Sequence, residues 1–286
     1  MDREKTLNYT KNINRLKIYT SKMDSAILIF AKVPISGKVK TRLTHNSCLT
    51  DSDCVKIAEA MLKDTISLAS QTDTDKIQIG YYPEEQLHNL NEIINCVRTQ
   101  GFLNKPVELL LQTGSNFDQR FGSVVQESFK KTVSSFIGLG ADLPFLDYEI
   151  INTALNLLTQ KKGENPVVIG PSSGGGIYLV GLTNDFNPKW FSSYQLFRGG
   201  VELSRFTNFC RKMELPLITL PPYGDIDLEE DFISLISYIT ALKNSEKTIG
   251  FYFPYYTDKI IEELKLYIIE EQDQTRRRKL AKKGDD

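Results

Sequence analysis

The chain has 286 residues, 41% hydrophobic and 25% charged, with a formal net charge of -1, which is the make-up of a folded globular protein. No global field favours nucleic acid or a membrane surface, so any anion site must be local. Only two histidines are present, His45 and His88, and the cysteines (Cys48, Cys54, Cys96 and Cys210) form no CxxC pair, which excludes a His-rich metal centre and zinc spacing.

Residues 1–24 read as an N-terminal extension: they are polar and lack the apolar core of a secretory signal. No apolar run approaches the ~18 residues of a membrane span. A cytoplasmic protein with reduced, buried or half-buried thiols is expected. The first strong signal is the apolar run Ala26–Ala31, which reads as a strand buried on both faces. Residues 32–50 hold Pro34, Gly37, Asn46 and Ser47 and read as a loop. A helix follows from about Asp53, with Val55, Ala58, Leu62, Ile66 and Ala69 at helical spacing. Next come a strand at Lys76–Tyr82, a helix at Glu84–Val97, a strand at Val107–Leu111 and a helix at Phe117–Val133. Ser135–Gly140 is a strand, and Asp147 caps the helix after it. Val167–Gly170, Ile177–Leu182 and Leu217–Leu220 are further strands, and a helix from Leu228 to about Leu242 closes the main domain, residues 25–243. Residues 244–286 read as a helical extension with an aromatic patch at Phe251–Tyr256, an amphipathic helix carrying Ile260, Leu264, Tyr267 and Ile268, and a basic tail from Arg276 to Lys283. Strands alternating with helices predict an α/β fold: a mostly parallel sheet covered on both faces.

In open α/β sheets ligands bind beyond the carboxyl ends of the strands, and four segments fall there. The loop after the first strand carries Lys32, Lys38, Lys40 and Arg42 around Gly37. Such a loop can hold phosphate, since glycine lets backbone approach an anion and the cations neutralise it. It is not a Walker loop, and a basic surface loop is the alternative. Asp142 directly follows the fourth strand. A carboxylate there suits Mg2+ or Mn2+, unless it merely caps a turn. Gly174, Gly175 and Gly176 lie between two strands, where backbone approaches a ligand closely or a hairpin simply turns. Asp225 and Asp227 can converge on a metal, or Asp227 can cap the next helix with Glu230 as its capping-box partner.

The set resembles the rSAM/selenodomain-associated transferase 1 family, a glycosyltransferase-like group akin to 2-phospho-lactate guanylyltransferase within the nucleotide-diphospho-sugar transferase superfamily. The family pattern F-A-K-x-P-x-x-G-x-V-K-T-R-L is matched at every fixed position by Phe30–Leu43. G-x-D-x-P stands at Gly140–Pro144, and D-x-D-x-x-E-D at Asp225–Asp231. G-P-x-x-D-G-G-Y-Y-L-x-G-L stands at Gly170–Leu182 with Gly174 in place of the aspartate and Ile177 in place of the first tyrosine. A further family segment survives only as Gln112, Gly114 and Arg120.

The resemblance implies a Rossmann-like GT-A fold. It places a nucleotide or nucleotide sugar at Ala31, Lys32, Pro34, Gly37, Lys40, Thr41, Arg42, Gly175 and Gly176. Asp142, Arg42 and Lys40 become the catalytic candidates, and Asp142, Asp225 and Asp227 would hold Mg2+ or Mn2+. The function this implies is metal-dependent transfer of a sugar from a nucleotide-diphospho-sugar to a small-molecule acceptor, with no nucleic acid partner. Nucleotidyl transfer with release of pyrophosphate is the alternative. A nucleotide-binding or scaffold protein without the chemistry is a second, which Gly174 and the extra C-terminal region motivate.

Overall fold

Alternate residues of the first strand, β1 (Ser25–Lys32), face opposite ways: Ile27 and Ile29 enter one hydrophobic core, Ala26 and Leu28 another. This is why the strand reads as a continuous apolar run; both faces of its sheet are covered. The computed structural model describes residues 24–45, 47–131, 133–161, 163–246, 251–270 and 278–283. The N-terminal stretch 1–23, with Arg276 and Arg277 of the basic tail, lies outside them.

After β1 come a 3₁₀ turn at Thr41–Thr44, α1 (Asp51–Ser70), β2 (Lys76–Tyr82), α2 (Leu87–Thr99), β3 (Val107–Leu111), α3 (Phe117–Lys130), β4 (Ser135–Leu139) and α4 (Tyr148–Gln160). The second half holds β5 (Val167–Pro171), β6 (Ile177–Thr183), the short α5 (Trp190–Tyr194), α6 (Glu202–Met213), β7 (Leu217–Thr219) and α7 (Glu229–Asn244). The chain then adds α8 (Tyr255–Glu263) and a hairpin, β8 (Leu266–Glu270) with β9 (Arg278–Lys282).

Seven strands form one sheet in the order β3-β2-β1-β4-β6-β5-β7. All pairings are parallel except those of β6, which runs antiparallel to both β4 and β5. The mostly parallel α/β fold is therefore the one expected. The reversal of β6 brings the β5–β6 turn to the same sheet edge as the carboxyl ends of β1 and β4. One face is covered by α1, α2, α4, α7 and α8, the other by α3, α5 and α6. Among the described residues, no helix is long and apolar enough to cross a membrane. The cysteines form no disulfide; Cys54 and Cys210 are buried, which pushes their thiols up to about 11 and about 12.

Two local expectations are corrected. The amphipathic helix in the C-terminal extension stops at Glu263, and Tyr267 and Ile268 lie on a strand. Lys265, with φ 53, breaks the helix in the left-handed region that helices do not continue through. The cap of α7 also differs. Its Asp231 accepts the backbone N–H groups of Leu228 (2.7 Å) and Asp227 (3.0 Å), so Asp227 is not the cap and Glu230 is not its partner.

Candidate functional site

The loop after β1 turns sharply at Ile35–Lys38, closed by the Lys38 N–H to the Ile35 carbonyl at 3.0 Å. Gly37 takes the left-handed position of that turn, with φ 68, where a side chain would strain the backbone. Lys40 is left-handed as well, at φ 48. A lysine held in that region is a local strain of the kind retained where geometry serves a site. The conformation sends its side chain, only 8% exposed, inward. There Nζ donates to Asp142 Oδ1 and to the carbonyl of Ile226. Two residues on, Arg42 pairs with Asp227 Oδ2. The Ile226 N–H reaches back to the Asp142 carbonyl at 2.9 Å.

Three of the four segments singled out by sequence thus meet at one point: Lys40 and Arg42 after β1, Asp142 after β4, Asp225 and Asp227 ahead of α7. Asp225 completes the cluster. Burial raises its carboxyl above the usual range, and the neighbouring charges of Asp142 and Asp227 raise it further against the pull of Lys40. Among the described residues no three His, Cys, Asp or Glu side chains form a metal cage. Asp142 spends one oxygen on Lys40 and Asp227 one on Arg42, leaving each a second. This donor set is oxygen-only, rich in negative charge and incomplete. It fits a hard cation that takes one or two carboxylates and fills its octahedron with phosphate oxygens and water, as Mg2+ does.

Two adjoining cavities open on the cluster, sharing Phe30 and Asp142 in their walls. One, of about 210 Å³, lies under the basic loop and is lined by Ala31, Lys32, Lys38 and Lys40, with Asp227 at its edge. The other, of about 300 Å³, is lined by Phe30, Phe117, Phe121 and Phe197 with Ser172, Gly176 and Asp225. The glycine turn therefore reaches the site through Gly176, whose added Cβ would stand 2.6 Å from Ser172 Oγ. Gly175 faces the carbonyl of Gly200 instead. Pro34 is buried beneath the loop, and Thr41 is exposed on its outer side.

Sequence reasoning missed the aromatic wall. Phe117 and Phe121 lie one turn apart on α3, and that spacing was a visible signal for one helix face. Phe197 came from a stretch without a readable motif. Gln112 is a buried brace: its side-chain amide donates to the carbonyls of Ala31 (3.0 Å) and Gly80 (2.8 Å), tying the β3 end to the start of the basic loop.

A family model described as "Uncharacterized protein conserved in bacteria (DUF2064)" matches residues 88–198, from α2 to just past α5. No curated protein matches the chain. A solved structure described as a "putative nucleotide-diphospho-sugar transferase" from Desulfovibrio desulfuricans G20 superposes with a TM-score of 0.64 at 24% identity, covering 85% of this chain and 98% of that one. A cytidylyltransferase from Leptospira borgpetersenii gives 0.49 at 15% identity, over 85% and 95%. The 4-diphosphocytidyl-2C-methyl-D-erythritol synthase of Anaerococcus prevotii gives 0.49 at 12%, over 77% and 100%. The chain has an α/β fold similar to that of nucleotide-diphospho-sugar transferases.

Proposed function

We propose that the chain is a metal-dependent transferase acting on a nucleotide-activated donor, with residues 25–243 as its transferase domain. The observation that carries this reading is the meeting of Lys40 with Asp142 and of Arg42 with Asp227 at the carboxyl ends of β1 and β4. Opposite charges held together beside a cavity lined by three lysines suit a phosphate chain and its counter-cation. The donor's phosphates lie under the 32–42 loop, where Lys32, Lys38, Lys40 and Arg42 neutralise them. Asp142 and Asp225 hold Mg2+ or Mn2+, with Asp227 beside them. When bound, the cation offsets charge on the leaving phosphate. The chain's own part is positional: the strained loop and the Gln112 brace hold the cations still, so that little reorganisation is needed as charge develops.

The first reaction class is glycosyl transfer, in which an acceptor group displaces the nucleoside diphosphate from the sugar. Nucleotidyl transfer is a second reading, favoured by the lining of one cavity by Lys32, Lys38 and Lys40, since three ammonium groups match the greater charge of a triphosphate.

The test is a panel of nucleoside triphosphates and nucleotide sugars with Mg2+ or Mn2+. A ligand at about 100 times its dissociation constant adds about 2.7 kcal/mol, and each kcal/mol is worth roughly 2–4 °C at this size. A shift of several degrees is expected with at least one nucleotide. Released nucleoside diphosphate marks sugar transfer, and pyrophosphate marks nucleotidyl transfer. No shift with any member at millimolar concentration overturns the proposal.

A further inference from the structure

The two adjoining cavities differ in chemistry. The one under the basic loop is cationic. Among the described residues, the larger one has no lysine or arginine in its wall and carries three carboxylates instead, Asp142, Asp225 and Glu202. Its remaining wall is largely aromatic. Phe117 meets Phe30 and Phe197 at a tilt, 4.9 Å from each, and lies nearly parallel to Phe121 at 6.3 Å, while Phe121 stands 4.8 Å from Phe197. Phe117 is 41% exposed, so its ring is available to a ligand rather than used up by the core.

The wall is held in shape. Buried Asp118 accepts the Phe197 backbone N–H at 2.9 Å, fixing that ring against the helix that carries Phe117 and Phe121. Glu202 accepts the Gly200 N–H at 3.1 Å with one oxygen and keeps the other near the glycine turn. The floor is Gly138, where an added Cβ would stand 3.3 Å from the tip of Phe121 and fill part of the space.

We infer that this cavity receives the acceptor, and that the acceptor is a neutral or cationic molecule with an aromatic or flat apolar face, not a phosphorylated or carboxylated one. That the ligand is an acceptor rests on the transferase reading above. The exposed face of Phe117 rewards a flat or apolar partner laid against it. Asp142 is already paired with Lys40, but Asp225 and Glu202 face no lysine or arginine among the described residues of this wall; they repel an anion and attract an ammonium group, so specificity comes as much from exclusion as from attraction.

The test uses three probes with one ring and different charge: tyramine (cationic), p-cresol (neutral) and 4-hydroxyphenylacetate (anionic). Each is titrated into the full chain and followed by calorimetry. Tyramine and p-cresol should bind, with 4-hydroxyphenylacetate weaker than tyramine by about tenfold or more. Phe117→Ala should weaken tyramine about fivefold or more while the melting temperature and the shift given by nucleotide are retained. Glu202→Gln should narrow the preference for tyramine over p-cresol.

Equal binding of the anion, no binding of any probe at millimolar concentration, or wild-type affinity in Phe117→Ala overturns the inference. So does competition between nucleotide and tyramine, which would make the cavity the site of the donor's base. If the probes follow the charge order but no nucleotide shifts the melting temperature, the transferase reading fails and the ligand class stands.

Discussion

Lys40 illustrates how much rests on single backbone angles at this site. At φ 48 its backbone is left-handed, and its ammonium lies against Asp142 with the side chain only 8% exposed. Sequence displayed the charges on this loop but not their pairing, because a left-handed lysine leaves no trace in spacing or composition. Arg42 is different, with 66% of its side chain exposed. Its surface pair with Asp227 is worth about 0–1 kcal/mol to stability, so Arg42→Ala should leave the melting temperature nearly unchanged. Loss of a charge-assisted phosphate contact should nevertheless weaken nucleotide binding by about 1.5–3 kcal/mol, read by calorimetry. Unchanged affinity would place the phosphates elsewhere. Asp142→Asn should abolish turnover with Mg2+ or Mn2+. It also leaves the largely buried Lys40 ammonium with a neutral acceptor, so a stability loss on the order of 1–2 kcal/mol should accompany it. Metal-dependent activity surviving within a few-fold would show that Asp142 serves only to hold Lys40.

Among the elements, those bounded by strong local chemistry were legible. β2 and β3 have the limits their apolar runs predict, and α4 is capped by Asp147, which accepts the Glu149 N–H at 3.0 Å. α1 begins two residues earlier than its apolar spacing indicates, because Thr50 and Asp53 form a capping box. The C-terminal hairpin was hidden because Leu266–Ile269 continues the apolar spacing of α8 closely enough to pass as a further turn of helix. What anchors α8 was hidden too. Asp64, buried inside α1, accepts the backbone N–H groups of Tyr256 (2.9 Å) and Thr257 (2.7 Å) and the Thr257 hydroxyl (2.7 Å). It is an N-terminal cap supplied from another helix, and no local pattern can announce that. Removing it as Asp64→Ala strands these donors and should cost about 2–4 kcal/mol.

Burial raises the Asp64 carboxyl from 3.8 to about 7, against the hydrogen bonds from Thr257 and Tyr256. The folded state therefore keeps this proton where the unfolded chain has lost it. The associated stability is full below about pH 4, declines as pH rises towards about 7, and is flat above. Between pH 4 and 7 the melting temperature of the wild type should fall relative to that of Asp64→Asn; parallel curves would contradict the assignment.

At the scale of the whole molecule, the segment after α7 is fastened to the body at several points. Tyr252, Tyr256, Ile260 and Ile261 are buried in the larger core. Lys282 pairs with Asp53 at 2.6 Å and Arg278 with Glu230 at 3.2 Å. The aromatic patch read from sequence does dock, through Phe251 against Phe145 and Tyr255 against Phe102, but its deepest contacts are the tyrosines at 252 and 256. Removing residues 251–286 should therefore lower the melting temperature sharply or leave the chain insoluble, because the apolar side chains of α1 that face α8 would meet water. Among the described residues, neither cavity of the candidate site takes any part of its wall from this segment. Chains that remain folded after truncation should still bind nucleotide, as read by the thermal shift, and folded chains that do not would place part of the site on the removed segment.

The pairing of Lys40 with Asp142 and of Arg42 with Asp227 has a thermodynamic consequence. Before any ligand arrives, the site neutralises itself. A nucleotide entering alone must draw the cations away from two carboxylates; a divalent ion entering alone, even on the second oxygens, must compete with the two cations for the same carboxylate charge. If the site takes both as proposed, each ligand supplies what the other leaves behind, the two exchange partners in a single metathesis, and their binding is coupled. Reciprocity then requires that the factor by which the ion tightens the nucleotide equal the factor by which the nucleotide tightens the ion. Titrations in either order should return the same number, and Arg42→Ala, by removing one of the two exchanges, should shrink it from both sides alike.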